Sequence, residues 1–495
     1  MAKSDAHILT FEHLVWKEVA RLAWNDELDA EHRDALVYKL IPGPRPTYRC
    51  CIYKEREIVR QRIRLSCGED SHGLRGSKNI VQVIKPACDE CPLTAYSVTD
   101  NCRTCLGKAC LSSCKFGAIS VGEHRAHIDA SKCKECGQCA QNCPYGAIVH
   151  VTRPCKRVCP VDAITYDEYG LCHIDEDKCI NCGHCIHACP FGAIGSKAYL
   201  PHIIRHIKAG DKVYAMCAPA TEGQFGADIT MGSIRAALKK IGFEDMVEVG
   251  LGGDMTAASE AEEWSEAYRE AKKLTTSCCP AFIAMQKKHF PQIYDNNMST
   301  TVSPMCAVSR YLKAIHPGCI TVFIGPCIAK KMETRDEETP GNADYAITYG
   351  EFGALLASKG VELEPVDGEY QEASLFGKNF AGSGGVAAAV VECMWERGED
   401  PTGIKLKQVA GGKECRQALT LLQYGRMQED FMEGMICPGG CIGGPSKHVT
   451  ERESAAPRRT LLAKADGRKV LENLEKYPMD QFSMHRERPA QKSAE

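Results

Sequence analysis

The spacing of hydrophobic residues changes along the chain. Near the start, Leu14, Val15, Val19 and Leu22 recur at the interval of an amphipathic helix. Residues 1–85 are therefore predicted to be a helical N-terminal segment. The pattern does not indicate a function for this segment.

Residues 201–450 alternate between short apolar runs and helix-like segments. VYAMCAP precedes GSIRAALKKIG, CITVFIG precedes AKKMET, and LKQVAGG precedes RQALTLLQYG. This alternation is typical of an α/β domain in which helices cover a parallel sheet. The last segment, residues 451–495, is charged and polar, and is predicted to be a C-terminal extension that is partly disordered.

Length, charge and the N-terminal sequence exclude several classes of protein. The 495 residues predict about three domains, and the net charge of −3 is unlike that of a dedicated nucleic-acid-binding protein. No apolar run approaches the roughly 18 residues of a membrane-spanning helix, and the N-terminus lacks a basic stretch followed by an apolar core. We therefore predict a cytoplasmic protein that binds neither nucleic acid nor membrane.

The cysteine content points to a function. The chain has 30 cysteines, and seventeen of them lie between residues 88 and 189. Because thiols do not pair stably in a reducing cytoplasm, so many cysteines usually bind metals or perform chemistry. Residues 86–200 are therefore predicted to be a metal-binding domain.

One cysteine spacing recurs four times within this domain. The run C-x2-C-x2-C-x3-C-P occurs at residues 133–144 and 179–190, and variants of it occur at residues 102–114 and 155–160. Each run continues into a G-A-I or D-A-I sequence. The full run is the bacterial-ferredoxin signature for 4Fe–4S clusters. We therefore predict tandem ferredoxin-like α+β modules with 4Fe–4S clusters.

In paired ferredoxin clusters, the last cysteine of each run binds the other cluster of the pair. This rule predicts three complete sets of four ligands. The sets are Cys102, Cys105 and Cys110 with Cys143; Cys133, Cys136 and Cys139 with Cys114; and Cys179, Cys182 and Cys185 with Cys159.

Cys155 and Cys189 remain after this assignment. Cys88 and Cys91 lie upstream and complete a fourth set, by counting of ligands rather than by a motif. Zinc is the alternative for the Cys88-x2-Cys91 pair. Four clusters exceed what a structural role needs, so we interpret the domain as an electron path.

The charge of this domain indicates a partner. Residues 102–160 carry nine lysines and arginines but three acidic residues. A basic face would attract an acidic, low-potential electron carrier such as ferredoxin or flavodoxin. The alternative is that these cations only offset the negative charge of the cluster thiolates.

Cysteines form a second kind of site in the α/β domain. Three motifs lie near predicted strand-to-helix junctions, where α/β folds bind ligands. They are TSCCP at 276–280, PCIAKKME at 326–333 and MICPGGCIGG at 435–444. Four of their cysteines would suffice for one more cubane, which leaves an adjacent cysteine and an adjacent lysine free for chemistry.

These three motifs, in this order, resemble the signature motifs of iron-only (FeFe) hydrogenases. The resemblance covers residues 86–450 and implies a two-lobed parallel-sheet H-cluster domain at 201–450 behind the ferredoxin-like domain at 86–200. It implies an H-cluster in addition to the four accessory 4Fe–4S clusters that the cysteine sets predict. In the H-cluster, a cubane shares one cysteine sulfur with a diiron subcluster that carries carbon monoxide, cyanide and a bridging amine dithiolate.

The resemblance also implies a role for individual residues of this chain. Carried over by position, the cubane ligands are Cys279, Cys327, Cys437 and Cys441, with Cys441 as the bridge. The other implied residues are Cys278 as the proton donor to the bridging amine, Lys330 and the Ala218–Pro219 loop as partners of the two cyanides, Met435 near the bridging carbonyl, and Glu260, Ser299 and Glu263 on the proton path.

Several of these residues have simpler interpretations. Cys278 is alternatively an inert buried thiol, and Lys330 a solvated lysine, although the adjacent Lys331 fits that description better. Glu260 and Glu263 belong to the acidic run SEAEEW, for which a solvated helix face is the alternative.

Five positions depart from the family pattern. Phe282 stands in place of a tryptophan, Gly325 of a methionine, Met305 of a glutamine and Ala220 of a serine, and the third motif ends in GGP. These positions line the implied pocket, and they indicate a less-studied branch of the family.

The implied function is that of an iron-only hydrogenase, an oxidoreductase that reversibly reduces protons to H2 with electrons from the low-potential carrier. Specialised maturation enzymes would supply the diiron unit. One alternative is a hydrogen or redox sensor that uses the same cofactor at low turnover. Another is a non-catalytic iron–sulfur electron-transfer or assembly protein.

The other cysteines fit no ligand pattern. They are interpreted as structural thiols in the core: Cys50, Cys51, Cys67, Cys172, Cys217, Cys306, Cys319, Cys393 and Cys415. Of these, Cys217 is the candidate to line the active-site pocket, because it directly precedes the Ala218–Pro219 loop.

Overall fold

A computed structural model describes residues 3–73, 76–88, 91, 95–366 and 370–487. Helices α1 (Lys3–Trp24), α2 (Ala30–Leu40) and α3 (Ile52–Ser66) form the N-terminal segment. Val15, Val19 and Leu22 are buried in the interface that these three helices share. No helix in these ranges is both long and apolar enough to cross a membrane.

The lone cysteines divide into two groups. Those at positions 172, 217, 306, 319, 393 and 415 are buried, as expected. In the N-terminal segment Cys67 is buried as predicted, whereas Cys50 is exposed and Cys51 is half-buried, so the interpretation as core thiols is wrong for Cys50 and Cys51. Cys50 and Cys51 lie before the first turn of α3, outside the apolar interface.

The cysteine-rich region forms small α+β modules, as the repeat predicted. Its strands are β1 (Val81–Val83), β2 (Tyr96–Val98), β3 (Ile119–Val121), β4 (Ala126–Ile128), β5 (Ile148–His150), β6 (Ile164–Tyr166), β7 (Cys172–Ile174) and β8 (Ile194–Ser196). Its helices are α4 (Ala109–Ser113), α5 (Gln138–Gln141), α6 (Pro154–Val158) and α7 (His184–Ala188). The antiparallel pairs are β1–β8, β2–β5, β3–β4 and β6–β7. The A-I sequence after each cysteine run enters β3, β5, β6 or β8.

The α/β domain contains two parallel sheets, as the alternating pattern predicted. Its strands are β9 (Val213–Cys217), β10 (Asp245–Glu248), β11 (Leu274–Thr275), β12 (Ile320–Ile324), β13 (Tyr345–Ile347), β14 (Leu406–Ala410) and β15 (Phe431–Met435). The sheet orders are β10-β9-β12-β13 and β11-β15-β14, with all pairs parallel. The carboxyl ends of these strands carry the three cysteine motifs and the Ala218–Pro219 loop.

Helices cover both sheets. They are α8 (Leu200–Ala209), α9 (Met231–Lys240), α10 (Val249–Arg269), α11 (Pro280–His289), α12 (Pro291–Asn297), α13 (Pro304–Ile315), α14 (Lys330–Glu333), α15 (Tyr349–Ser358), α16 (Leu375–Asn379), α17 (Gly385–Glu396) and α18 (Gly412–Gln423). The central helix, α10, packs against α13, α16 and α17. Its glycine-rich start allows this closeness: a Cβ at Gly252 would lie 2.1 Å from the carbonyl oxygen of Pro304.

Residues 451–487 are packed against the α/β domain, although their polar composition predicted partial disorder. They form α19 (Glu451–Leu462), α20 (Val470–Leu474) and an extended segment up to residue 487. Val470, Leu474 and Met484 are buried in the domain core. Because a few well-spaced apolar residues suffice to anchor such a segment, average polarity is a poor guide here. Residues 488–495 lie outside the described residues.

Candidate iron–sulfur centres and active site

Three small cavities in the cysteine-rich modules are each lined by four cysteines. The first is lined by Cys102, Cys105, Cys110 and Cys143, the second by Cys114, Cys133, Cys136 and Cys139, and the third by Cys159, Cys179, Cys182 and Cys185. These are the three sets that the pairing rule predicted. Backbone N–H groups also point at the sulfurs: Ala118, Ala147 and Ala163 donate to Cys114, Cys143 and Cys159 over 3.3–3.4 Å. Such donors favour the thiolate that iron requires.

The fourth predicted set also converges. Cys88, Cys155 and Cys189 are buried in one apolar cluster. The Cys91 thiol is close enough to these three sulfurs for their charges to raise its pKa, although burial is the larger cause. A further thiol, Cys172, is buried beside them and hydrogen-bonds to both Cys88 and Cys155, which lowers the pKa of Cys88 to about 7 and of Cys155 to about 6.

Replacing Cys91 with serine should remove about four iron atoms per chain, the content of one cubane. Replacing Cys172 with serine should leave the iron content unchanged, since its partners would keep a hydrogen-bond donor. Iron and acid-labile sulfide analysis of the two purified variants measures this directly. Loss of iron from the Cys172 variant alone would assign the fourth ligand to Cys172 instead of Cys91.

The three motifs of the α/β domain meet at the carboxyl ends of β11, β12 and β15. Cys279 precedes α11, Cys327 lies between β12 and α14, and Cys437 and Cys441 follow β15. Burial raises the pKa of all four thiols. The neighbouring sulfurs add to this for three of them, and the pKa is raised to about 12 for Cys327 and well above the ordinary value for Cys437. Four clustered thiols that resist ionisation on their own suit a multivalent iron cluster, whose positive charge stabilises the thiolates.

The glycines of the third motif permit the close approach of two loops. Gly440 has φ +88°, and a Cβ on it would lie 2.6 Å from the carbonyl oxygen of Ala381. An isolated antiparallel bridge joins Gly440 to Gly382 at this point. The loop that carries Cys437 and Cys441 therefore requires glycine for both conformation and space.

Two departures from the family pattern are explained by packing. A Cβ on Gly325 would lie 2.7 Å from the Phe323 ring and 2.9 Å from the Ala218 methyl group, so this backbone has no room for a methionine there. Phe282 is fully buried, and its ring lies where a Cβ on Gly434 would come within 2.2 Å. Gly325 and Phe282 are therefore each fixed by the side chains packed around them.

Lys330 is buried next to the four cysteines. Its Nζ donates to Glu333 Oε2 at 2.6 Å and to Ser303 Oγ at 2.8 Å. Burial lowers the pKa of Lys330, but Glu333 and the nearby Cys327 and Cys441 outweigh it and hold the pKa above the ordinary value. The side chain is thus a buried cation, and the interpretation as a solvated lysine is wrong.

Lys331 is also buried, and its interpretation as the exposed lysine is wrong. Its side chain is 0% exposed and forms an ion pair with Glu351, which is equally buried. The Lys331 Nζ also donates to the Lys197 carbonyl oxygen at 2.8 Å. It points away from the cysteines toward α15, because adjacent residues of the short helix α14 face different directions.

The residues of the implied proton path lie in one line. Glu260 is fully buried, and its Oε1 accepts from the Ser277 N–H at 3.1 Å and from the Ser277 hydroxyl at 3.3 Å. The Ser277 hydroxyl lies 3.4 Å from that of Ser299, and Ser299 is within hydrogen-bonding reach of both Glu260 and Glu263. Glu260 Oε2 has no partner among the described residues. A solvated helix face is therefore excluded for Glu260.

Cys278 lies at the inner end of this line. Burial raises the pKa of its thiol well above the ordinary value, and Glu260 is the next largest cause. Burial raises the pKa of Glu260 as well, to about 8. Glu263, at the outer end, has a lowered pKa because hydrogen bonds from His485, Ser299 and Thr300 outweigh its burial. At neutral pH the line thus has a neutral thiol and a neutral carboxyl inside and a carboxylate outside.

The raised pKa of Glu260 predicts a pH-dependent stability. The native carboxyl stays protonated up to about pH 8, whereas the unfolded one ionises near pH 4.5. The folded chain therefore loses stability as the pH rises through this window, by a free energy on the order of 5 kcal/mol. Glu260→Gln removes this loss, so the variant should gain stability relative to wild type between pH 5 and pH 9. If the midpoint of thermal unfolding differed between Glu260→Gln and wild type by the same amount at pH 5 and at pH 9, the raised pKa of Glu260 would be contradicted.

Ala218 and Pro219 directly follow β9 and Met435 ends β15, so all three lie at carboxyl ends of strands, as the cysteine motifs do. The Ala218 N–H donates to the Ile324 carbonyl oxygen at 2.9 Å, which joins the loop after β9 to the end of β12. Arg458 of α19 donates to the Pro219 carbonyl oxygen at 2.7 Å. Met435 is buried in the same apolar cluster as Cys278 and Met305. The structure therefore brings all twelve predicted active-site residues to one region.

The third set of accessory cysteines adjoins this region. The negative charge of Cys182 raises the pKa of Cys437, and that of Cys279 raises the pKa of Cys182, so these sulfurs lie close together. Cys159, Cys179 and Cys182 also pack against the same apolar cluster as Cys279 and Cys327. The fourth set adjoins the third, because the negative charge of Cys155 raises the pKa of Cys185.

Comparison with known proteins agrees with this arrangement. Residues 211–445 match a family described as "Iron only hydrogenase large subunit, C-terminal domain". Residues 211–445 therefore form a domain of the iron-only hydrogenase family. Before the hydrogenase domain, residues 126–149 match a "4Fe-4S binding domain" and residues 149–200 an "LdpA Fe-S cluster-binding domain". The chain thus combines iron–sulfur cluster-binding regions with a domain of the iron-only hydrogenase family.

Relatives in this hydrogenase family are distant. Iron hydrogenase 1 of Clostridium pasteurianum is 26% identical over 52% of this chain and 54% of that protein. The Periplasmic (Fe) hydrogenase large subunit of Nitratidesulfovibrio vulgaris is 27% identical over 68% of this chain and 89% of that protein. The Cytosolic Fe-S cluster assembly factor NAR1 of Kluyveromyces lactis is 25% identical over 38% of this chain and 55% of that protein. The chain spans about half the length of the first and third.

Five residues of the site escaped the sequence analysis. They are Ser277, Thr300, Ser303, Glu333 and His485, all of which contact predicted site residues. Ser277 and Glu333 stand inside the signature motifs, which are the sequence signal for them. Thr300 and His485 have no local signal, because their contacts join positions far apart in the chain.

Proposed function

We propose that this chain is a hydrogenase that reversibly reduces protons to H2. The observation that carries the proposal is the line from Glu263 through Ser299, Ser277 and Glu260 to the buried Cys278, which ends beside four clustered cysteines. A protein that only stored or carried an iron cluster would not need a buried proton path to it. The overall reaction joins two protons and two electrons.

The four clustered cysteines fit the cubane of an H-cluster. Cys279, Cys327, Cys437 and Cys441 would hold it, and Lys330 provides a buried cation for an anionic ligand of the diiron unit. When bound, the H-cluster supplies the redox chemistry between protons, electrons and H2. The Ala218–Pro219 loop and Met435 would enclose it and limit access of water.

The proton-carrying residues would act in sequence. Cys278 holds a proton on its thiol at neutral pH, because burial keeps its pKa high. Glu260 is neutral under the same conditions and can donate a proton to Cys278 and accept another through Ser277 and Ser299. Glu263 receives protons from the surface side, because its side chain is 17% exposed.

Electrons would reach the site through four accessory 4Fe–4S clusters. The set of Cys182 is next to the active site, followed by the set of Cys155, and the two remaining sets lie in the module of residues 95–150. Cys136 in that module is exposed, and the surrounding segment is basic, which suits an acidic low-potential carrier such as ferredoxin or flavodoxin. We further propose a cytoplasmic location and dependence on separate maturation enzymes.

An iron–sulfur assembly role is the second candidate, favoured by the likeness to the assembly factor of Kluyveromyces lactis. Infrared spectroscopy of the full chain, produced anaerobically with maturation enzymes, separates the two. A hydrogenase should show bands of metal-bound carbon monoxide and cyanide and evolve H2 with a reduced carrier. Absence of these bands in fully iron-loaded protein would overturn the proposal, and bands with only slow turnover would favour a sensor.

A further inference from the structure

The C-terminal segment covers the outer end of the proton line. The Val302 N–H donates to the Met484 carbonyl oxygen, and the Arg486 N–H donates to the Thr300 carbonyl oxygen, both at 2.8 Å. Arg310 of α13 holds the same segment by donating to the His485 carbonyl oxygen at 2.9 Å. Met484 and Arg486 point inward and are buried, so His485 between them points outward.

His485 contacts the entrance of the line directly. Its Nδ1 lies 2.8 Å from Thr300 Oγ1 and 3.4 Å from Glu263 Oε1. The Thr300 hydroxyl donates to Glu263 Oε1 at 2.5 Å. Because that hydroxyl gives its proton to the carboxylate, its lone pair is free to accept from Nδ1–H of the imidazole. The three groups form a directed hydrogen-bond chain from the ring to the carboxylate.

The His485 ring is exposed to solvent, and its pKa is raised. The His485 side chain is 52% exposed, compared with 17% for Glu263. The hydrogen bond to Glu263 raises the pKa of His485, burial opposes this, and Glu262 raises it while Arg310 lowers it. Glu262 in turn pairs with Arg397 at 2.7 Å, so Glu263 is the main anionic partner of the ring.

We propose that His485 exchanges protons between solvent and Glu263 and thereby completes the proton path. The proposal deepens the proposed function and rests on it. In the inward direction, imidazolium releases its Nδ1 proton to Thr300 Oγ1 while the Thr300 hydroxyl proton passes to Glu263 Oε1. The ring, now neutral with its proton on Nε2, regains a proton at Nδ1 from water or buffer when the exposed side chain rotates away from Thr300. His485 acts through Glu263, so it is a positioning and relay residue rather than a catalytic one.

The test compares His485→Ala with His32→Ala in the anaerobically matured full chain. His32 is a matched control, because its Nδ1 pairs with Asp29 at 2.8 Å and its side chain is 46% exposed, far from the site in the sequence. H2 evolution should fall about tenfold in His485→Ala, with unchanged infrared bands and recovery on addition of imidazole. His32→Ala should match wild type.

A further variant tests the relay through the hydroxyl. Thr300→Val keeps the shape of the side chain but removes the hydrogen-bond link, so H2 evolution should fall without recovery in imidazole. Equal turnover of His485→Ala and wild type would overturn the proposal for His485 alone. A fall in His485→Ala that imidazole does not reverse would overturn it too, since that indicates a structural role. Wild-type protein without turnover would overturn the proposed function as well.

A measurement independent of turnover examines the His485–Glu263 pair itself. Deuterium exchange at the imidazole C2 position, read by mass spectrometry as a function of pH, reports the pKa of each histidine. The pKa of His485 should lie above the ordinary 6.5 in the full chain and fall in Glu263→Gln. An unchanged pKa in that variant would show that the two groups are not coupled and would overturn the proposal.

Discussion

Replacing Cys278 with alanine should abolish H2 evolution while the iron content and the infrared bands stay unchanged. The thiol is the only proton-bearing side chain that the line through Glu260 presents at its inner end among the described residues. Its removal leaves a gap that a methyl group cannot bridge. We expect a loss of at least about 10²–10⁴-fold, the usual contribution of a positioned acid or base.

A matched control is Cys393→Ala, which removes a fully buried thiol from α17 in the same apolar cluster. This variant should lose some stability, because it also opens a small cavity, but it should evolve H2 at the wild-type rate. If Cys278→Ala and Cys393→Ala retained the same turnover, Cys278 would be the inert buried thiol of the alternative interpretation. Loss of iron from Cys278→Ala would instead place it among the ligands.

Replacing Lys331 with methionine should destabilise the folded chain by about 3–5 kcal/mol. The substitution leaves the carboxylate of Glu351 fully buried without its cation. Glu351 also caps the start of α15 by accepting from the Thr348 N–H, so it cannot turn outward without loss of that bond. The midpoint of thermal unfolding, followed by circular dichroism under anaerobic conditions, measures the effect.

The double variant Lys331→Met with Glu351→Leu is the control for this prediction. Since it removes both charges and keeps the volume apolar, it should recover most of the lost stability. A single variant as stable as wild type would mean that Glu351 is protonated or hydrated in the folded chain. A double variant no better than the single one would mean that packing, not charge, determines the loss.

The motif spacing predicts the role of Lys330 but not the burial of the adjacent Lys331. The PCxxKxxE spacing identifies Lys330 and also Glu333, and the structure pairs these two beside Cys327 and Cys441. No local pattern indicates that Lys331 is buried, because its partner Glu351 is twenty residues away. The variant positions behave likewise: Gly325 and Phe282 are visible as departures, but only their contacts with Phe323, Ala218 and Gly434 explain them.

The sequence alone determined the cysteine sets of the ferredoxin-like modules and the three motifs of the α/β domain. These depend on spacing within single turns and on strand ends that meet at one edge of a parallel sheet, which are local rules. Tertiary structure decided which cysteines Cys172 hydrogen-bonds to, the burial of Lys331 and the position of His485 beside Glu263. Those features arise where segments far apart in the chain pack together, and packing leaves no periodic signal in the residues that it joins.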